Sequence, residues 1–286
     1  MDSKPVVSIL MNCFNGEIFL HDALSSVLNQ TFQDWELIFF DNASTDSSKA
    51  IFDTYSDKRF KYFRADKNTI LPEARNAALK FASGEWIAIL DVDDYWHIGK
   101  LEKQIQCISQ DKGKRADLIF TSCEVFRQKT KYRVHPIFSQ ETVFDDLLEI
   151  KLSVPWSSVM FRKEIFNKLI GFDCTFPSAH DLDFLIKCSR LGRFLFLDHC
   201  LTFIRDHSKN LTTSNKNRGR YFQEIIDVLK PYQEHSSASL GASKMKLLYI
   251  FGLLKRARIR LLIKEFLSIS FFEYKLFLTL AIKKFF

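Results

Sequence analysis

The sequence lacks closely spaced pairs of cysteines. None of its six cysteines forms a C-x-x-C pair, and no histidine cluster lies beside them, so we expect reduced, mostly buried thiols. The segment before the first strand-like run does not resemble a secretory signal. Together these absences predict a reducing, cytoplasmic setting. The cysteines are Cys13, Cys107, Cys123, Cys174, Cys188 and Cys200.

A hydrophobic run long enough to cross a membrane is missing as well. In the basic C-terminal segment the longest uncharged run is Leu247 to Leu254, far below the roughly 20 residues that a spanning helix needs. Residues 244–286 hold ten Lys or Arg and two Asp or Glu, a net charge of +8. Since the whole chain carries +7, the first 243 residues carry −1. This distribution argues against nucleic acid as a partner.

Short apolar runs alternate with helical periodicity in the first 90 residues. Strands are predicted at residues 6–11, 35–40, 60–63 and 86–90, with helices at 17–29, 47–55 and 72–82. This alternation with short links predicts an α/β fold, with a Rossmann-like, mostly parallel sheet flanked by helices. Ligands bind such sheets beyond the carboxyl ends of the strands.

The rest of the chain is less regular. Strands are predicted at residues 117–120 and 158–161, and a helix at 181–191. The Ser- and Ala-rich segment 236–243 is the best boundary candidate. We predict a catalytic domain over residues 1–235, with a nucleotide-binding half at about 1–115 and an acceptor half at about 116–235. Residues 236–286 would form a basic amphipathic helical tail.

Two carboxylates, Asp91 and Asp93, follow the fourth predicted strand with one residue between them. Like charges so close together repel unless a cation joins them, and oxygen ligands suit Mg²⁺ or Mn²⁺. Such an ion could bridge a diphosphate and stabilise it as a leaving group. A solvated acidic turn is the alternative reading of the same residues.

Three other polar groups are candidates for binding or catalysis. Asp41 and Asn42 could contact a base or ribose, although residues 44–46 also suit a helix N-cap. Arg75 could bind phosphate or base, or form a surface ion pair. Asp181 or Asp183 could take a proton from an acceptor hydroxyl, or serve for helix capping and surface pairing.

Short motifs along residues 6–210 resemble those of glycosyltransferase family 2 in their order and spacing. The motif segments are Ser8–Asn15, Asn29–Phe32, Asp41–Asp46, Ala74–Asn76, Asp91–Asp94, Gly171–Asp173, His180–Asp183 and Arg205–His207. The resemblance implies a GT-A fold and an inverting transfer from a nucleotide-diphosphate sugar, with a UDP-sugar expected. The acceptor would be a hydroxyl of a glycan or a lipid-linked molecule, in cell-surface polysaccharide or lipopolysaccharide synthesis.

The resemblance also assigns roles to residues. Expected nucleotide contacts are Asn12, Phe14, Asn15, Asp41, Asn42, Arg75, Asp91 and Val92. Asp41 and Asn42 would contact the nucleoside, with Arg75 near the base and Asp91 near the ribose. Asp93 would ligate Mn²⁺ or Mg²⁺, His207 would contact the metal or the diphosphate, and Asp181 would be the general base.

The chain departs from the family pattern at three positions. Asn12 stands where proline is usual, Ile70 where the loop often has glycine, and His180 where glutamate commonly precedes the base. Because of the third departure, the family resemblance does not predict the nature of the acceptor pocket. None removes a residue that the chemistry requires.

The basic tail admits two interpretations. Its cations, interspersed with Leu, Ile and Phe, fit helices lying on an anionic membrane, which would place the enzyme peripherally on the cytoplasmic face. A helical cap packed on the domain is the other interpretation. Two alternative functions also stay open: a nucleotidyltransferase, whose usual Gly-rich phosphate loop is missing at residues 12–16, and a non-catalytic, membrane-associated sugar-nucleotide-binding protein.

Overall fold

The computed structural model describes residues 4–111, 115–127, 130–207 and 218–255. The first half is the alternating α/β unit predicted from the sequence. Its elements are β1 (Val7–Cys13), α1 (Leu20–Leu28), β2 (Trp35–Asp41), α2 (Ser48–Phe52), β3 (Phe60–Arg64), α3 (Leu71–Leu79) and β4 (Trp86–Ile89). All four predicted strands and all three predicted helices are present, with ends that differ by a few residues.

The second half adds helices and strands of widely different lengths. Its elements are β5 (Tyr95–Trp96), α4 (Lys100–Gln110), β6 (Leu118–Arg127), β7 (Thr130–Val134), α5 (Val143–Leu148), β8 (Met160–Arg162), α6 (Lys163–Lys168), α7 (His180–Leu191), β9 (Phe194–Asp206), α8 (Arg218–Leu229) and α9 (Ser236–Lys255). The strand predicted at 158–161 begins two residues late, because a 3₁₀ turn at Trp156–Ser158 follows Pro155.

The strands of the described chain form one mixed sheet in the order β3-β2-β1-β4-β8-β6-β9-β5, with β7 paired to β6. β1 pairs in parallel with β2 on one side and β4 on the other. The chain therefore reverses its direction of winding between β1 and β4, and a ligand crevice is expected beyond their carboxyl ends. The predicted α/β sheet flanked by helices is confirmed.

Apolar side chains cover both faces of this sheet. β2 is buried along its whole length, as a central parallel strand should be. One core packs β1 and β2 against α1, and a larger core packs α3, α5, α7 and α8 against the opposite face. The crevice therefore lies at the end of a sheet that is packed on both faces.

The predicted boundary at residues 236–243 is the beginning of helix α9. Ala238 and Ser243 are buried, as are Met245, Leu247 and Ile250 further along the helix. At Gly241 the backbone packs so closely on α5 that a Cβ atom would overlap the carbonyl oxygen of Leu148. Up to residue 250, therefore, the segment predicted as tail packs on the catalytic domain as a cap. Residues 256–286 lie outside the described part, so the division of the chain at residue 235 stays a prediction.

Candidate active site

A cleft of about 390 Å³ opens at the carboxyl ends of β1 and β4. It brings together most of the predicted site residues, from segments far apart in sequence. Its walls are formed by Asn12, Phe14, Leu71, Arg75, Asp91, Val92, Asp93, Asp94, Trp156, Ser157, Ser178, His180, Asp181 and Ile204. Asn15, Asp41, Asn42 and His207, which were also predicted, are not among these lining residues.

The acidic turn after β4 is held by a buried bracket around Asp94. The carboxylate of Asp94 accepts hydrogen bonds from the Ser157 hydroxyl at 2.6 Å and from the backbone N–H of Arg205 at 3.1 Å. The same hydroxyl accepts a bond from the backbone N–H of Asp91 at 3.2 Å. Burial, and then the charges of Asp93 and Asp91, raise the pKa of Asp94 well above its usual value. The bracket therefore fixes the turn against the end of β9.

Asp93 lies next to His207, the residue that follows β9. His207 Nε2 lies 3.1 Å from Asp93 Oδ2, and the Arg205 guanidinium donates to the Asp93 carbonyl at 2.9 Å. Burial, and then the Asp91 charge, raise the pKa of Asp93, while His207 opposes the shift. One carboxylate and one imidazole fit Mn²⁺ or Mg²⁺ if a diphosphate supplies further oxygens. The described residues contain no group of three or more protein ligands here.

Arg75 is buried and directed inward. Its guanidinium donates to Asp91 Oδ1 at 2.7 Å and to His180 Nε2 at 2.7 Å, and it lies 5.5 Å from the centroid of the Trp156 ring. These contacts exclude the surface ion pair that the sequence left open. They link the turn after β4 to the beginning of α7, so Arg75 holds two sides of the cleft together.

His180, one of the departures from the family pattern, accepts the hydrogen bond from Arg75. Burial, and then the Arg75 charge, lower the pKa of His180 well below its usual value. The imidazole is therefore neutral and its Nε2 is free to accept. A glutamate at this position would instead form an ion pair with Arg75.

Asp181 lies in the first turn of α7 and faces the cleft. Its carboxylate accepts a hydrogen bond from the Leu182 N–H at 2.8 Å. Burial raises the pKa of Asp181, with a smaller contribution from Asp91, against the opposing effects of Leu182 and Arg75. A raised pKa makes the carboxylate a stronger base than an exposed aspartate. Asp183 is buried and bonded to Lys187 at 2.7 Å, and it does not line the cleft.

The beginning of α7 is capped from another helix. Ala179 precedes α7 and makes no side-chain cap, but the Glu224 carboxylate of α8 accepts from the backbone N–H groups of Ser178 at 2.6 Å and Ala179 at 3.1 Å. Glu224 is itself buried and pairs with Arg220. The position of Asp181 thus depends on α8, which the sequence did not indicate.

Asp41 lies beneath the cleft and is fully buried. It accepts from the Tyr62 hydroxyl at 2.5 Å, from the Ser44 N–H at 2.7 Å and from Arg64. Burial acts to raise the pKa of Asp41, but these hydrogen bonds and the Arg64 charge outweigh it and hold the pKa below its usual value. In this structure Asp41 organises the turn after β2. A nucleoside contact for it stays a prediction.

Asn42 and Asn15 bond to neighbouring loops. The Asn42 amide donates to the Thr69 carbonyl at 2.8 Å, which ties the loop before α3 to the end of β2. Asn15 has a φ of 55° and accepts from the Thr45 N–H at 2.8 Å. Both amides therefore join the loops that carry the cleft. Their predicted nucleotide contacts are not tested by this geometry.

Trp156 and Ser157 are among the lining residues that the sequence did not predict. They lie in the 3₁₀ turn after Pro155, and the only sequence signal was the proline followed by an aromatic residue.

The indole N–H of Trp156 and the amide nitrogen of Asn12 are buried, line the cleft and have no hydrogen-bond partner among the described residues. Buried donors without partners are rare, so both are available to a ligand.

A Rossmann-like sheet with a carboxylate pair at its switch point, and a third carboxylate facing the same cleft, are the features expected of a nucleotide-sugar glycosyltransferase of the GT-A fold. The chain matches the family described as Glycosyl transferase family 2 over residues 8–170. It is 43% identical over 236 residues to the Escherichia coli UDP-Glc:alpha-D-GlcNAc-diphosphoundecaprenol beta-1,3-glucosyltransferase WfgD, covering 82% of this chain and 89% of that protein. This chain belongs to glycosyltransferase family 2 and is an enzyme of that class.

Solved structures with low sequence identity share the fold. Staphylococcus aureus TarS 1–349 in complex with UDP-GlcNAc superposes with a TM-score of 0.65 at 17% identity, covering 92% of this chain and 73% of that one. The mannosyltransferase PcManGT of Pyrobaculum calidifontis, in complex with GDP-Man and Mn²⁺, gives a TM-score of 0.63 at 16% identity, with coverages of 99% of this chain and 81% of that one.

Membership of glycosyltransferase family 2 sets aside the nucleotidyltransferase and non-catalytic alternatives.

Proposed function

We propose that this enzyme transfers a sugar from a UDP-sugar to a hydroxyl of a lipid-linked or other glycan acceptor, with inversion at the anomeric carbon. The observation that carries the proposal is the shared cleft: the Asp91–Asp93 pair and Asp181 line the same cavity. The name of the E. coli relative supports UDP as the nucleotide and a diphosphate-linked lipid as the acceptor. The pathway would be cell-surface polysaccharide or lipopolysaccharide synthesis.

Each protein group has one task in this reaction. Asp93 and His207 would hold Mn²⁺ or Mg²⁺, which supplies positive charge to the departing nucleoside diphosphate. Asn12 Nδ2 and Trp156 Nε1 are available as donors to the bound nucleotide sugar. Asp181 would accept the proton of the acceptor hydroxyl as its oxygen bonds to the anomeric carbon and the bond to the diphosphate breaks. Arg75 would fix the position of Asp91 relative to the beginning of α7.

A donor screen tests this proposal. The full chain would be incubated with UDP-glucose, UDP-N-acetylglucosamine or GDP-mannose, with Mn²⁺ or with excess EDTA, and release of nucleoside diphosphate measured. We expect release from a UDP-sugar that depends on the metal. Unchanged release in EDTA would contradict the metal assignment, and release from GDP-mannose alone would contradict the nucleotide.

The membrane interpretation of the basic tail also stays a proposal. No helix in the described part of the chain is long and apolar enough to span a membrane. Lys244 contacts the Glu149 carbonyl at 3.2 Å, so this cation of the segment is used within the protein. Truncation after Lys255 keeps helix α9 whole and removes seven of the ten basic residues of residues 244–286. We expect the truncated enzyme to lose co-sedimentation with anionic vesicles at low salt. Equal sedimentation of both forms would contradict the proposal.

A further inference from the structure

Lys100, the first residue of α4, is fully buried although its side chain ends in an amine. Lysine is almost never fully buried unless a charged partner pairs with it. Burial lowers the pKa of Lys100 well below its usual value, with no contribution from a carboxylate among the described residues. Features that cost stability in this way occur where function requires them, so we expect the contacts of this amine to serve the site.

The amine has two close partners, Gln104 and Trp96. Lys100 Nζ donates to Gln104 Oε1 at 2.8 Å, and it lies 4.0 Å from the centroid of the Trp96 ring. Lys100 and Gln104 are four residues apart on α4, so their side chains lie on the same face of the helix. Both partners of the amine are buried as well.

Both partners also bond to the 3₁₀ turn at Trp156–Ser158. The amide nitrogen of Gln104 donates to the Ser158 carbonyl at 3.1 Å. The indole nitrogen of Trp96 donates to the Ser157 carbonyl at 2.7 Å. Because Ser157 lines the cleft, two backbone carbonyls of a cleft wall are held from α4 and β5.

The same turn holds the acidic segment after β4. The Ser157 hydroxyl donates to Asp94 and accepts from the backbone N–H of Asp91. Hydrogen bonds in a chain polarise one another, so donation by Lys100 to the amide oxygen of Gln104 strengthens donation by the amide nitrogen. These contacts connect a buried amine with the carboxylates of the cleft through one amide and one turn.

We propose that Lys100 and Gln104 are positioning residues for glycosyl transfer, which fix the 3₁₀ turn and thereby the segment Asp91–Asp94. The inference rests on the proposed function, because it takes this segment to be part of the donor site. Neither residue lines the cleft. Lys100 acts through Gln104, because its amine keeps the amide in one orientation, with the amide N–H groups toward the turn.

A double-mutant cycle between Lys100→Met and Gln104→Leu tests this inference. With a UDP-sugar that the wild-type enzyme hydrolyses, kcat for UDP release in Mn²⁺ would be measured well below the Tm of every variant. We expect each single variant to lower kcat by about tenfold, within the 10²-fold that a misplacement of 1 Å can cost. The double variant should lose no more than Gln104→Leu alone, because Lys100 acts through that amide.

Thermal unfolding separates positioning from a purely structural role. Gln104→Leu leaves the buried amine without its acceptor, and adding Lys100→Met removes that unpaired amine. The double variant should therefore have a higher Tm than Gln104→Leu, while its kcat stays as low. Recovery of kcat together with Tm, or a kcat lowered by the product of the two single effects, would overturn the inference.

Gln104→Glu keeps the test decisive if the apolar variants fail to fold. The carboxylate retains the length of the side chain and an acceptor for Lys100, but it has no N–H for the Ser158 carbonyl. Its kcat should fall by about tenfold as well, and wild-type kcat in this variant would overturn the inference.

Matched controls lie on the same helix. Gln106→Leu changes an exposed glutamine of α4, and Lys103→Met a half-buried lysine, so both should keep kcat within about twofold of wild type. An equal loss in these controls would contradict a specific role for the buried pair. If the wild-type enzyme released no UDP from any UDP-sugar, the proposed function itself would fail, whereas an active wild type with additive variants contradicts this inference alone.

Discussion

The proposed donor side of this cleft, around Asp91 and Asp93, and the proposed acceptor side, around Asp181, are built differently. On the donor side, three aspartates that line the cleft already have partners: Asp91 bonds to Arg75, Asp93 to His207, and Asp94 to Ser157. On the acceptor side, Asp181 accepts one backbone hydrogen bond and otherwise borders an apolar cavity. The donor side is thus organised in advance for a charged diphosphate. The acceptor side leaves its carboxylate available to take a proton.

Removing the base should give the largest difference between the two sides. An amide cannot accept the proton of the acceptor, so Asp181→Asn should lower kcat for transfer by about 10²–10⁴-fold. UDP affinity should stay near wild type, because the paired donor-side groups are untouched. Steady-state kinetics and calorimetric titration with UDP and Mn²⁺ measure the two effects.

Asp183→Asn provides the control for that experiment. Asp183 is two residues away but pairs with Lys187 outside the cleft, so its variant should keep kcat within a few-fold of wild type. If Asp181→Asn kept wild-type kcat, the base would be another group and the contrast between the two sides would be lost.

The donor side should respond to the loss of one metal ligand. Asp93→Asn removes a charged ligand from the pair with His207, and we expect turnover to fall by about 10²-fold, as when one preorganised charge interaction is lost. Unlike Asp181→Asn, this variant should also weaken UDP binding in Mn²⁺. Asp53→Asn, which changes an exposed carboxylate directly after α2, is the control. Unchanged UDP affinity in Mn²⁺ would show that Asp93 does not hold the ion.

A smaller effect should follow from the helix cap supplied by Glu224. Glu224→Ala leaves two N–H groups at the beginning of α7 without their partner, and we expect Asp181 to shift and kcat to fall by about tenfold, less than the 10² that a full ångström can cost. Glu224→Gln keeps a carbonyl oxygen for both N–H groups and should restore most of the activity. If the glutamine and alanine variants behaved alike, the cap would not be what positions Asp181.

The pH dependence should show the smallest and most graded effect. Because the pKa of Asp181 is raised and the reaction needs its deprotonated form, kcat should fall with acid at a pH above 3.8, the ordinary pKa of the group. The sign follows from the state required: lowering the pH through the raised pKa protonates the base. An acid limb at or below the ordinary value would contradict a buried base at this position.

The sequence predicted the donor side better than the acceptor side for a physical reason. Strands β1 to β4 are predicted by the local periodicity of apolar residues, and the carboxylates after them belong to short motifs. Neither signal depends on contacts between distant segments. The acceptor side depends on contacts between distant segments. Arg75 meets His180 at a separation of 105 residues, and Glu224 caps a helix 45 residues earlier in the chain.

The role of a motif residue was also harder to predict than its location. Asp41 is fully buried and bonded to Tyr62 and Arg64, partners that the sequence did not indicate, and its predicted nucleoside contact is not tested by this geometry. A local pattern cannot show which neighbours a strand brings from the next strand, so the partners of Asp41 were not foreseeable. The same limit applies to the beginning of α9, where the packing of Gly241 on α5 places the predicted boundary at residues 236–243 within a helix.

We propose that a metal-dependent donor site and a separate base act in one cleft. The most direct measurement is UDP release from a UDP-sugar, with and without an accepted acceptor, by the wild-type enzyme and Asp181→Asn in Mn²⁺ and in EDTA. We expect EDTA to abolish UDP release in every case, whereas Asp181→Asn should abolish only the stimulation of release by the acceptor and keep UDP binding. Acceptor-stimulated release by Asp181→Asn at the wild-type rate, or full activity in EDTA, would contradict it.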